Sequence, residues 1–136
     1  MAIKRFSSDL LVYLASPYSH PEPSVREQRY QSALKAAAFL LKSGLMVYSP
    51  IVHCHPVALL EDLPGEVEYW WVYNQRMIRV CDLFVVLNIE GALKSTGVRM
   101  EQSYAGALSK ETLWMAEGSQ KGEYVCPWLD SIIPAV

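Results

Sequence analysis

The chain lacks most of the features that reveal a protein's role by composition. It has only three cysteines, Cys54, Cys81 and Cys126. An odd number with no CxxC pair argues against a disulfide framework and fits inert thiols in a reducing cytoplasm. There is no long hydrophobic run near the start: Leu10 to Ala15, after Lys4-Arg5, spans six residues, too few for a membrane span or a signal-peptide core. There is no excess of either charge. A net charge of −2 gives no field for a nucleic-acid polymer or an anionic membrane, so an anionic ligand must be held by local donors. Internal repeats, low-complexity tracts and linkers are also absent, and a single domain over residues 1–136 is expected.

What is present is an ordinary globular composition, 51% hydrophobic and 19% charged, enough for a core without metal or disulfide staples. Residues 10–15 read as a buried central strand. Ser16 to Pro23 is a loop, because prolines 17, 21 and 23 forbid a helix. Ser24-Val25-Arg26-Glu27 reads as a capping box opening a helix. Its apolar stripe is Tyr30, Ala33, Leu34, Ala37, Leu40 and Leu41, and it stops at Ser43-Gly44. Leu45 to Tyr48 is a second strand, completing a βαβ unit and implying parallel pairing.

Ser49 to Pro56 reads as a loop, residues 57–60 as a short helix and Leu63-Pro64-Gly65 as a turn. A helix over 66–80 carries Trp70, Asn74, Met77 and Cys81 on one face. A strand over 82–88, a helix over roughly 97–109 and a strand over 112–115 follow. The tail holds an edge strand, Tyr124-Val125, and a closing turn. This alternation predicts a Rossmann-like three-layer α/β sandwich with a small, mainly parallel sheet of four to five strands.

In such folds ligands bind outside the carboxyl ends of the strands. The segments gathered there are the loop after the first strand, the loop with His53 and His55, and the Ser95-Thr96-Gly97 turn. That turn opens a helix on which Val98, Glu101, Ala105 and Leu108 share one face. Glu101 is therefore either a carboxylate at the edge of an apolar face, reaching solvent, or one held in the core for chemistry. Tyr13 lies inside the first strand, where a buried phenol needs a partner, and a carboxylate on a neighbouring helix would serve. Asn74 is the polar residue of an apolar stripe, suited to orienting a ligand or to satisfying a buried backbone group. Ser95, Thr96 and Gly97 have the makings of an anion-binding turn or of a simple helix cap, without the Gly-Lys-Ser/Thr ending of a phosphate loop. His53 and His55, with His20 elsewhere, invite a metal reading, but neither HExxH nor paired cysteines accompany them. Contacts from loop histidines to a phosphate, sugar or base are the alternative. Trp70, Trp71 and Tyr73 are either base-stacking groups or core.

Taken in order, Tyr13-Leu14-Ala15-Ser16-Pro17-Tyr18, Asn74 eight residues before Asp82, and Ser95-x-Gly97-x-x-x-Glu101 followed by Tyr104-Ala105 resemble the nucleoside 2-deoxyribosyltransferase superfamily. Within it the chain is similar to a bacterial and phage branch sharing the Tyr-Leu-Ala-Ser-Pro-Tyr-Ser-His opening. The resemblance covers about residues 10–116. It implies a flavodoxin-like fold, at least a homodimer, no cofactor or metal, and cleavage or exchange of N-glycosidic bonds in a small nucleoside or nucleotide. It further implies that Glu101 attacks C1′ and holds a glycosyl intermediate, while Tyr13 orients it.

Two positions depart from the transferases. Asn74 stands where an aspartate commonly meets or protonates the base, and an amide supplies no proton. Ser95 stands where they carry an aspartate. Relatives that hydrolyse nucleoside 5′-monophosphates have serine there, touching the phosphate, which an aspartate would repel. Ser16, Ser19, His20, His53 and Gly97 complete the expected binding set. The reading that follows is an N-glycosidase or transferase. The rivals are a nucleotide-binding or sensing module without turnover and, more remotely, a metal-dependent hydrolase built on His53 and His55.

Overall fold

A computed structural model describes residues 6–64 and 66–133. Gly65, in the expected Leu63-Pro64-Gly65 turn, lies outside them. Strand β1 (Leu11–Ala15) leads through a loop to helix α1 (Pro23–Lys42) and strand β2 (Met46–Tyr48). Helices α2 (Pro50–Glu61) and α3 (Val67–Val80) follow, then β3 (Leu83–Leu87), a short 3-10 turn (Ala92–Lys94) and α4 (Thr96–Ala107). The chain closes with β4 (Thr112–Glu117), β5 (Tyr124–Val125) and the single-turn α5 (Leu129–Ile132).

The sheet order is β2-β1-β3-β4-β5. The first four strands are parallel and β5 pairs antiparallel with β4. Strand alternation divides the core into two layers. Val12, Leu14, Val85 and Leu87 face α1, meeting Ala36, Ala37 and Leu40. Tyr13, Ala15, Phe84 and Val86 face the other way, against Ile78 of α3 and Val98 and Ala105 of α4. Helices cover both faces, giving the expected three-layer, flavodoxin-like sandwich. Because β1 has β2 on one side and β3 on the other, the chain reverses its winding there. That switch point opens a crevice at the carboxyl ends of β1 and β3. Among the described residues no helix is long and apolar enough to cross a membrane.

Several local expectations are corrected. The Ser49–Pro56 segment is a helix, not a loop. Ser49 caps it by accepting from the Val52 N–H at 3.2 Å, and Pro50 takes the first helical position, where its missing donor costs nothing. Pro56 sits inside the same helix. The capping box at Ser24 does not form, since Pro23 opens α1 and Glu22 is its N-cap without a side-chain bond. The α1 stripe is rotated: Ala36 is buried, whereas Leu34 and Leu41 are exposed. In the tail, Trp128, Leu129, Ile132 and Ile133 pack on this chain's own α1-side core.

Candidate active site

The site begins with strand parity. Tyr13 is the third residue of β1 and points to the α3–α4 layer, in register with Tyr48 on β2 and Phe84 on β3. Its ring stacks on Phe84 at 5.6 Å between centroids and 17°, and tilts against Tyr48 at 5.8 Å. This aromatic row fixes where the phenol can go. On α4, Val98, Glu101 and Ala105 form the buried stripe, which turns the Glu101 side chain down onto the sheet. The Tyr13 hydroxyl accordingly donates to Oε2 of Glu101.

Glu101 is 4% exposed, so the edge-of-face alternative does not hold. Burial pushes its carboxyl up to about 7, and the Tyr13 hydrogen bond opposes that rise. Burial also raises the Tyr13 phenol well above its ordinary value, as does the neighbouring Glu101 charge. Tyr13 therefore stays protonated and serves as a donor.

Above this pair lies a cleft of about 530 Å³. One wall is the loop after β1, with Ser16, Tyr18, Ser19 and His20, and behind it Arg29 of α1. The segment after β3 contributes Gly91, Lys94, Ser95, Thr96 and Gly97. Helix α2 contributes Cys54 and His55, and the α3 side contributes Glu66, Glu68, Trp70 and Asn74. The loop after β1 is tied to α1 by two arginines. Arg29 Nη1 donates to the Ser19 carbonyl at 2.8 Å, and Arg26 donates to that of His20. Ser95 is the N-cap of α4, accepting from the Val98 N–H at 3.2 Å. The N–H groups of the first helical turn, at Thr96 and Gly97, have no intrahelical acceptor.

Two buried oxygens at this cleft have no hydrogen-bond partner: Ser16 Oγ, in a residue 4% exposed, and Asn74 Oδ1, in one 6% exposed. Orphaned buried polar atoms are costly, and a ligand in the cleft is the natural partner for both. Of the residues selected from the sequence, Ser16, Ser19, His20, Asn74, Ser95, Gly97 and Glu101 line this one cleft, with Tyr13 beneath. His53 does not join them. It is exposed on α2, stacked on Tyr73 at 5.8 Å and 15°.

His55, two residues on, faces inward and lines the cleft. Its Nδ1 lies 2.6 Å from the Tyr18 hydroxyl and its Nε2 lies 3.2 Å from Glu27 Oε2. The two histidines therefore diverge rather than converge on a metal. Among the described residues no group of three or more His, Cys, Asp or Glu side chains is arranged to hold one. Arg29 and Tyr18 line the cleft although the sequence did not select them, and of the two histidines weighed for contact with a ligand it is His55 that lies there. Once α2 is known to be a helix, the helical spacing of Cys54, His55 and Ala58 marks its inner face.

The fold and cleft define a doubly wound α/β protein with a polar site, built around a buried carboxylate, at its switch point. Residues 10–117 match the family described as a domain of unknown function, DUF1937, and the chain belongs to it. No curated protein sequence matches the chain. Among solved structures, the 2-desoxiribosyltransferase from Leishmania mexicana is similar, with a TM-score of 0.50 and 19% identity, covering 82% of this chain and 67% of that one. At that identity the likeness is one of fold.

Proposed function

We propose that this protein cleaves the N-glycosidic bond of a nucleoside 5′-monophosphate or nucleoside through a glycosyl intermediate on Glu101, passing the sugar to water or to a second base. The observation that carries this reading is the Tyr13–Glu101 pair, buried at the foot of the cleft. Tyr13 occupies Oε2 and leaves Oε1 for attack on C1′. The same hydrogen bond holds the carboxylate in one orientation, which an attacking group needs. Ser95, the first-turn N–H groups of α4, Arg29 and Lys94 share the cleft and offer a site for a phosphate dianion. Ser16 Oγ and Asn74 Oδ1 are left to meet sugar or base donors. Like the superfamily it resembles, the protein is proposed to work as a homodimer or higher homo-oligomer, which light scattering would measure.

The test is chromatography for free base after incubation with the ribo- and deoxyribonucleosides and their 5′-monophosphates, with Glu101→Ala alongside. Release by the wild type alone supports the reading. Turnover by the variant at the wild-type rate removes the nucleophile assignment. One observation favours a second reading: Asn74, an amide that cannot supply a proton, stands where an acid would assist the leaving base. A protein that binds nucleotide without turnover would show ligand-dependent thermal stabilisation and no base release.

A further inference from the structure

Breaking a bond to an unactivated base leaves charge on the base unless a proton arrives as the bond opens. Asn74 has none to give. Among the cleft-lining side chains, Tyr18 is the one whose hydroxyl is hydrogen-bonded to a buried imidazole. Tyr18 Oη lies 2.6 Å from Nδ1 of His55, a residue 5% exposed, whose ring stacks on Tyr30 at 4.3 Å and 25°. On the far side of the ring, Nε2 meets Glu27 Oε2 at 3.2 Å, and the Glu27 side chain is 54% exposed. A hydrogen-bonded chain thus runs from solvent at Glu27, through His55, to the cleft at Tyr18.

The chemistry of the partners fixes its polarity. An ionised carboxylate only accepts, so Nε2 carries a hydrogen toward Glu27 in either charge state of the ring. With the ring neutral, Nδ1 accepts the Tyr18 hydrogen. With the ring protonated, Nδ1–H donates to Tyr18, whose own O–H is then free to turn into the cleft.

We infer that Tyr18 is the acid that protonates the leaving base, with His55 and Glu27 as the positioning residues that resupply it; this rests on the N-glycosidase reading above. As Glu101 bonds to C1′, the C1′–N pair passes to the base. The Tyr18 hydroxyl proton goes to a base nitrogen, and the His55 Nδ1 proton goes to the Tyr18 oxygen. The ring is left neutral, still donating from Nε2 to Glu27. Water then attacks C1′ and the ester pair returns to Glu101. The surplus proton passes through Tyr18 to Nδ1, and the cycle closes with water as the only co-reactant. The groups facing His55 are Glu27 and Tyr30 from α1 and Tyr18 from the loop. Burial raises the Tyr18 hydroxyl above its ordinary value and so keeps its proton on, while the Arg26 charge opposes that rise.

The experiment compares kcat/KM on the ribo- and deoxyribonucleoside 5′-monophosphates with that on the 4-nitrophenyl riboside and deoxyriboside 5-phosphates, whose leaving group needs no proton. Wild type, Tyr18→Phe, His55→Asn and Glu27→Gln are measured across pH. Tyr18→Phe should lose roughly 10²- to 10⁴-fold on the nucleotide and stay within a few-fold of wild type on the nitrophenyl substrate. Glu27→Gln should show a smaller loss that is likewise confined to the nucleotide, which a merely structural role would not produce. If His55→Asn does not fold, those two variants still decide. Equal loss on both substrates, or no loss, overturns the assignment. So does a wild type that cleaves only the nitrophenyl substrates, since a working acid would extend to the nucleotides. A wild type that cleaves neither kind overturns the N-glycosidase reading itself, and the acid falls with it.

Discussion

Tyr13 and Glu101 stand 88 positions apart in sequence, and their side chains meet in one hydrogen bond at the foot of the cleft. Strand parity delivers the phenol and helical periodicity the carboxylate, so the pair follows directly from packing α4 on β1 and β3. Removing the phenol's hydrogen while keeping its ring should therefore leave the core intact. Tyr13→Phe is expected to fold like the wild type and to lose activity by roughly 10²-fold, the scale of a misplaced reacting group. The Tyr13 bond favours ionised Glu101, and without it the carboxyl rises further above about 7. The acid limb of kcat/KM should then move to higher pH, which a pH series on the purified variant would detect. An unmoved limb would contradict the role given to the hydrogen bond.

The buried carboxyl also governs stability. Its folded value of about 7 exceeds the ordinary glutamate value of about 4.3 in the unfolded chain. Below the unfolded value both states are protonated and nothing is lost. As pH rises from there toward 7, the unfolded chain ionises first and the native state loses ground, levelling off above the folded value. Glu101→Gln, which keeps an acceptor for Tyr13, removes this penalty. Thermal melts should show the variant gaining on wild type between about pH 4.5 and 7 and holding a constant lead above. A lead that shrank with rising pH would refute the account.

Lys110 ends α3. Its Nζ donates to the carbonyls of Ile78 at 2.6 Å and Arg79 at 3.0 Å, and also to that of Cys81. A cation on the unpaired carbonyls of a helix C-terminus satisfies both their hydrogen bonds and the helix dipole. Lys110→Met keeps the apolar stem and removes the charge. It should cost about 2–3 kcal/mol in urea unfolding, the scale of charge-assisted bonds lost from partly buried carbonyls. A loss below about 0.5 kcal/mol would place Lys110 among ordinary surface substitutions.

Much of this arrangement is legible in the sequence, and the exceptions have physical causes. The strands were readable because β1 and β3 are nearly continuous apolar runs buried on both faces. Glu101 was readable because Val98 and Ala105 flank it at helical spacing. Helix α2 was hidden by its own prolines. Pro50 reads as a breaker, although it occupies the one helical position where proline is favoured, and Pro56 is tolerated inside the helix on an exposed face. Reading the first half of α2 as a loop leaves the histidine assignment on His53, whereas the helix turns His55 inward. The α1 stripe was misjudged because leucine outweighs alanine in any hydrophobicity count. Ala33, Ala37 and Leu40 of the expected stripe are buried, Ala36 joins them, and Leu34 and Leu41 stay outside.

Ser95 separates cap from ligand site. Its Oγ accepts from the Val98 N–H at 3.2 Å, and the residue lines the cleft beside Thr96 and Gly97. Aspartate caps helices as well as serine does and adds a favourable charge at the positive end of the dipole. Ser95→Asp should therefore melt within about 0.5 kcal/mol of wild type. The same charge faces any phosphate seated at the α4 N-terminus. If the cleft takes a 5′-monophosphate there, the variant should bind it at least tenfold more weakly, a difference of about 1.4 kcal/mol. Its affinity for the matching nucleoside, which carries no phosphate, should hold. Calorimetric titration of both ligands into both proteins reads the two effects separately. Parallel loss for nucleotide and nucleoside would move the phosphate elsewhere in the cleft, and Arg29, which reaches the same space from α1, would be the next residue to substitute.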